Sequence, residues 1–126
     1  MRFMCIYRPA DTRSVEAGAP PSQDKIADMG QLIAEMVKAG VLLATDGLLP
    51  SSKGARVRLS NGKFTVTDGP FTEAKELIAG FAIIRVGSKA EAFEWSKRFL
   101  TVAGDGESEI RLMWDTPAYP PEQRAA

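Results

Sequence analysis

Histidine is absent from this 126-residue chain. That removes the commonest general base at neutral pH, the histidine-dependent triads and most zinc sites. Any chemistry has to come from carboxylates, Lys, Arg, Tyr or Ser, or from a borrowed metal or cofactor. Cysteine is nearly absent too. Cys5 alone is present, in the first apolar run, so no internal disulfide can form and nothing suggests an oxidising compartment. It reads as a small buried strand residue rather than a reactive thiol. Charge of one sign is not in excess, with 16 Lys plus Arg against 16 Asp plus Glu. Nucleic acid and anionic membranes are bound through surplus basic charge, so neither is expected as a partner. No apolar run approaches the roughly 20 residues of a membrane span. No basic segment followed by an apolar stretch opens the chain, and a cytoplasmic protein is the expectation.

What is present is the mix of a globular protein: 44% hydrophobic and 25% charged residues in 13.6 kDa, enough for one hydrophobic core. One domain is expected over residues 1–115. Residues 116–126 hold Pro117, Pro120 and Pro121 and read as a flexible tail.

Arg2 to Tyr7 is short, apolar and rich in β formers, a buried strand. Arg8 to Pro21 turns polar and reads as a loop. Ser22 then stands where a helix N-cap belongs, with Asp24 in the first turn. Ile26, Met29, Ile33, Met36 and Val37 give one apolar stripe, and Gly40 supplies the stop. Val41 to Leu49 predicts a second strand with a bulge or bend at Asp46-Gly47. Ala55 to Ser60 and Lys63 to Thr67 flank Asn61-Gly62, the strongest short hairpin signal, because a type I′ turn needs positive φ at both positions. Val57 and Leu59 alternate with Arg56 and Arg58, so one hairpin face is expected to be packed. Thr72 to Glu76 suits one helical turn, and Leu77 to Val86, the most apolar run, a central strand. Ser88 and Glu91 form a capping box ahead of a helix buried through Ala92, Trp95 and Phe99, which Gly104 and Gly106 end. Glu109 to Trp114 is the last strand.

With the hairpin treated as an insertion, the order is βαββαβ, an α+β ferredoxin-like fold. Two helices cover one face of the sheet. The other face, rich in Phe and Ile, would be covered by a second copy, which predicts a homodimer.

The segment Val66-Thr67-Asp68-Gly69-Pro70-Phe71-Thr72-Glu73-Ala74-Lys75-Glu76 resembles the signature of the DGPF proteins, a bacterial branch of the YCII-related family. The likeness extends to the opening strand, the AGVLLATDGLLP segment, the hairpin, IAGFAIIRV and the EAFEW helix. It implies the dimeric α+β barrel fold. DGPF proteins are often associated with extracytoplasmic-function sigma factors, which implies an accessory or regulatory role. Better understood relatives carry a His–Asp pair in a cleft. This chain has no histidine to match, so their proton abstraction does not carry over.

Read from its residues, the signature is first a rigid corner. Asp68 can accept from amides of its own turn, Gly69 allows unusual backbone, Pro70 fixes φ and Phe71 would plug the turn into the core. The functional alternative is that the corner holds Asp68 at the mouth of a cleft as an acid–base group. Asp46 could converge with Asp68 as a paired carboxylate for acid–base work or a divalent metal. Lys75 or Arg111 would supply positive charge for an anionic ligand, and Tyr7 would line the cleft. Glu73 reads as solvated surface. The candidate ligand-binding set is thus Tyr7, Asp46, Gly69, Pro70, Phe71, Lys75 and Arg111, with Asp68 as the candidate catalytic residue. No metal site is assigned, and the cofactor is not specified. The favoured function is a small-molecule-binding accessory protein. The alternative is a lyase or isomerase acting on a small aromatic or anionic substrate.

Overall fold

The computed structural model describes residues 1–71, 73 and 77–115. The predicted turn over Thr72 to Glu76, which includes Lys75, and the tail 116–126 lie essentially outside these residues.

Six strands and three helices follow in chain order: β1 (Arg2–Pro9), α1 (Thr12–Glu16), α2 (Gln23–Lys38), β2 (Leu42–Gly47), β3 (Ala55–Ser60), β4 (Lys63–Asp68), β5 (Gly80–Arg85), α3 (Lys89–Ala103) and β6 (Gly106–Leu112), with a 3-10 turn at Ser51–Lys53. Strands β2, β5, β1 and β6 form one antiparallel sheet in that order, and β3 and β4 pair separately. With the hairpin set aside, this is the ferredoxin-like order expected from the sequence. The apolar run of β5 is central, between β2 and β1.

The caps act as the sequence implied. The Ser22 hydroxyl accepts from the Lys25 amide and the Ser88 hydroxyl from the Glu91 amide. The Glu91 carboxylate reaches back to the Gly87 amide at 2.9 Å, one residue earlier than a capping box requires. Cross-helix ties then fix α2 against α3. Lys25 Nζ donates to the Ala103 carbonyl at 2.9 Å, and Arg98 pairs with Glu35 at 2.7 Å.

The core sits between the helices and one face of the sheet. Phe3 faces Ile84 across the β1–β5 ladder, and the two are 2% and 1% exposed. Leu32 and Met36 of α2 and Ala92 of α3 close over them. Each of these large apolar side chains contributes roughly 1.5–3 kcal/mol by leaving water.

Several local expectations are corrected. The buried stripe of α2 runs through Leu32 and Met36, with Met29 packed beside it. Ile26 and Val37, placed in the stripe by their spacing, are 56% and 60% exposed. Met29 and Met36 of the expected stripe do pack inward, and the buried arc takes in Leu32 instead of Ile26 and Val37. The segment after β1 is not all loop, since Asp11 caps the short α1 by accepting from the Ser14 amide. The Ser14 hydroxyl first, and then its amide, hold the Asp11 carboxyl below its ordinary value. The irregularity in β2 falls between Leu42 and Ala44, ahead of Asp46-Gly47. Phe71 is half-buried outside the core cluster, with the Arg56 guanidinium 3.7 Å above its ring.

The hairpin has its predicted turn, with Asn61 at φ 51° and Gly62 at φ 77°. Its expected packed face is left open by the described residues. Val57 pairs with Val66 and Leu59 with Phe64, and all four are 61–74% exposed.

Gly30 is the one mid-helix glycine of α2, and a Cβ added there meets nothing within 4 Å. Gly30→Ala is expected to raise stability by about 0.5–1 kcal/mol, through lower backbone entropy in the unfolded chain. Urea unfolding checks this, and a destabilised variant would mean that the helix surface at Gly30 is covered.

Candidate functional site

Strand parity decides which side chains reach the space under the helices. On β1 the core-facing set continues from Phe3 to Cys5 and Tyr7. Their cross-strand partners are Ala82 and Gly80 on β5, and Ile110 and Ser108 on β6. Alanine, glycine and serine fill less space than the Phe3–Ile84 end of the same face. The helices do not close over this thinner end, and a cavity of about 370 Å³ remains there.

Met29, Ile33 and Met36 of α2 form its roof together with Trp95 and Phe99 of α3, and Ala82 and Ile84 are part of its floor. Phe99 meets Tyr7 edge-on, with centroids 5.2 Å apart. The polar groups gather on one wall. Ser96 of α3, 8% exposed, donates to Cys5 Sγ at 3.9 Å and accepts from the Ser108 hydroxyl at 3.4 Å. The Tyr7 hydroxyl donates toward the carbonyls of Gly104 and Asp105, both 3.3 Å away. Burial pushes the Cys5 thiol above its ordinary pKa, an effect that the Ser96 hydrogen bond partly offsets. Burial, helped by the nearby Asp105 carboxylate, likewise raises Tyr7. Both groups are therefore neutral hydrogen-bonding groups at neutral pH rather than anions.

The candidate residues divide between three places. Tyr7 and Asp46 line the cavity. Asp46 pairs with Phe81, so its side chain has the parity of the sheet's other face and it borders the cavity at the β2 edge. Arg111 also has that other parity, opposite Met4. It pairs with Glu109 at 3.1 Å, and Arg8 approaches the same carboxylate at 2.7 Å. The two guanidiniums, Arg111 first, hold Glu109 below its ordinary pKa.

Asp68, Gly69, Pro70 and Phe71 make a third locus, away from the cavity lining. Asp68 ends β4 opposite Ala55 and is exposed. Beside it the Glu16 carboxylate of α1 accepts from both the amide and the hydroxyl of Ser51. The Ser51 hydroxyl in turn accepts from the Phe71 amide at 2.9 Å. Gly69 donates to the Gly54 carbonyl at 3.0 Å, and the Gly69–Pro70 bond is cis. The corner thus clamps the hairpin base to the 3-10 turn and α1. The single chain does not bring Asp46 and Asp68 together at one cleft. Among the described residues no three Cys, Asp or Glu side chains are grouped to hold a metal ion.

Ser96 and Ser108 were missed from the sequence, although a signal existed. Ser96 stands four residues after Ala92 and three before Phe99, a polar residue inside an apolar stripe. Ser108 precedes Ile110 at strand period on the core face.

No helix among the described residues is long and apolar enough to cross a membrane. The model of the YCII-related domain matches residues 1–115. An uncharacterized protein of Rhizobium meliloti is 36% identical over 70 residues, 56% of this chain. The match spans little more than half of that protein's own length, 56%. Among solved structures, the chain is similar to 5-chloro-2-hydroxyhydroquinone dehydrochlorinase from Burkholderia phenoliruptrix in complex with 2,5-dihydroxybenzoquinone. The TM-score is 0.47 at 13% identity, over 90% of this chain and 94% of that one. Likeness at that level transfers nothing about substrate or mechanism.

Proposed function

We propose, from the premise that the chain belongs to the YCII-related domain family, that it is a cytoplasmic accessory protein which binds a small molecule as a homodimer. The observation that carries this reading is the cavity between sheet and helices. Its volume of about 370 Å³ falls within the range of ligand sites, and its walls are apolar with a few hydrogen-bonding groups at one side. A regulatory setting beside an extracytoplasmic-function sigma factor, implied by the resemblance to DGPF proteins, belongs to the same reading.

The homodimer is supported by two apolar surfaces that the described residues leave half-buried or exposed. One is the sheet face opposite the helices, with Met4, Ile6, Phe81 and Ile83 at its centre by register. The other is the Val57, Leu59, Phe64 and Val66 ladder of the hairpin. A two-stranded hairpin alone is marginal in water. Sheet-to-sheet packing of two copies would complete a dimeric α+β barrel. A catalytic role for Asp68 enters this reading only if a second copy carries its corner to a cleft, because within one chain Asp68 stands outside the cavity lining.

Ligand-observed NMR with a library of small aromatic and aliphatic fragments tests the binding role. Ala82→Phe, which fills the cavity floor, serves as the control after its melting temperature is checked. Fragments are expected to bind the parent and to lose binding in Ala82→Phe. Equal binding to both proteins, or none to either, would remove the cavity from consideration.

A further inference from the structure

We infer that the ligand of this cavity is an uncharged, ring-sized molecule presenting a hydroxyl group to the Tyr7–Ser108–Ser96 wall. The inference rests on the binding role proposed above and specifies what is bound. It starts from the residues that line the space. Among the described residues none of the lining side chains is Lys or Arg, and the chain has no histidine. The one carboxylate residue among them, Asp46, is paired with Phe81, so its side chain has the parity of the opposite face of the sheet. An anion moved into such a cavity would lose its hydration and meet no counter-charge, which is strongly unfavourable. A cation would meet only Asp46, at the border of the cavity by the β2 edge. Arg111, one of the two cations expected to hold an anionic ligand, faces the other side of the sheet and pairs with Glu109, and Lys75 lies outside the described residues.

The polar wall then selects among uncharged ligands. The Ser108-to-Ser96 contact is 3.4 Å and both Tyr7 contacts are 3.3 Å, longer than the usual hydroxyl hydrogen bond of about 2.8 Å. Each hydroxyl has one proton and two lone pairs. The Tyr7 and Ser108 protons point toward acceptors already present, so their lone pairs are the unused capacity. A ligand O–H can donate to them. A ligand that has only acceptors must displace an existing contact to be recognised. The remaining lining, including Met29, Trp95 and Phe99, offers polarizable and aromatic contact suited to a flat ring.

Isothermal titration of the intact protein with three probes of one skeleton tests this: 1-naphthol, 1-methoxynaphthalene and 1-naphthoate. Naphthol is expected to bind at least about tenfold more tightly than naphthoate, and several-fold more tightly than the methyl ether, the size of one neutral hydrogen bond. Ser108→Ala and Tyr7→Phe should each reduce the preference for naphthol over the ether. Using both variants keeps the test open should one of them fold poorly. Naphthoate binding as tightly as naphthol would overturn the inference but leave the cavity as a binding site. Equal affinity for naphthol and ether in the parent would overturn the role of the wall. Binding of none of the three, together with no fragment bound in the NMR screen, would overturn both this inference and the binding role.

Discussion

Gly69→Val is expected to be among the most damaging single changes in the chain, at about 2–4 kcal/mol of stability. A Cβ at Gly69 falls 1.8 Å from the Ser51 carbonyl oxygen and 2.6 Å from its carbon. These are backbone atoms, so no rotamer change relieves the collision. Moving Ser51 would strain its two hydrogen bonds to Glu16 and the one it receives from Phe71. The Gly69 amide would also be drawn from the Gly54 carbonyl. Each neutral hydrogen bond lost contributes about 1 kcal/mol, and more when a carboxylate is the partner. For a domain of this size the loss corresponds to roughly 10 °C in melting temperature. Gly54→Ala is the control on the same turn. Its added Cβ would sit 3.5 Å from the Ser51 oxygen, an ordinary contact, and the change should stay within about 0.5 kcal/mol. A Gly69→Val protein that melts with the parent would show that Ser51 does not pack against the corner.

The reason glycine is needed at position 69 differs from the one its sequence suggested. The D-G-P-F pattern pointed to unusual backbone geometry, yet the requirement is steric, set by a segment 18 residues upstream. Local pattern cannot report such an approach, because the partner is fixed only by tertiary packing. Elements governed by local rules were legible. Ser22 and Ser88 cap their helices, Asn61-Gly62 turns the hairpin, and the apolar run ending at Val86 includes the central strand. Where the edge of a helix's apolar arc had to be placed, at Leu32 against Ile26 and Val37, periodicity alone could not choose.

The candidate site was legible in the same uneven way. Tyr7 followed from its place at the end of the first strand. Asp68 was singled out by its signature and Arg111 by its charge in the last strand, and neither gives direction. Arg111 has its side chain on the other sheet face because it stands one residue, half a strand period, from Ile110. The groups that do converge, Ser96 and Ser108, are chemically plain and sit inside apolar patterns. Their meaning comes from the space left where Gly80, Ala82 and Ser108 replace the bulk that Phe3 and Ile84 supply at the other end.

Ile6→Asp is expected to convert the proposed dimer into a monomer while leaving the fold intact. Light scattering at micromolar concentration should give twice the chain mass of 13.6 kDa for the parent and the single-chain mass for the variant. Ile6 pairs with Phe81 on one side and Glu109 on the other, on the sheet face that neither helix covers. In a lone chain Ile6 is half-buried, so an Asp there should cost folding about 1–2 kcal/mol. In a sheet-on-sheet dimer the same carboxylate would be buried without a partner. Breaking into a buried apolar contact with an unpaired charge costs about 2–4 kcal/mol. A twofold interface contains the change twice, which weakens association by a factor on the order of 10³ or more. Circular dichroism and thermal melting of the variant establish that the fold survives. A parent that runs as a folded monomer would sink the dimer outright. A variant that stays dimeric would move the interface off the sheet face, and Phe64→Asp, 74% exposed on the hairpin ladder, would then be the substitution expected to separate the copies.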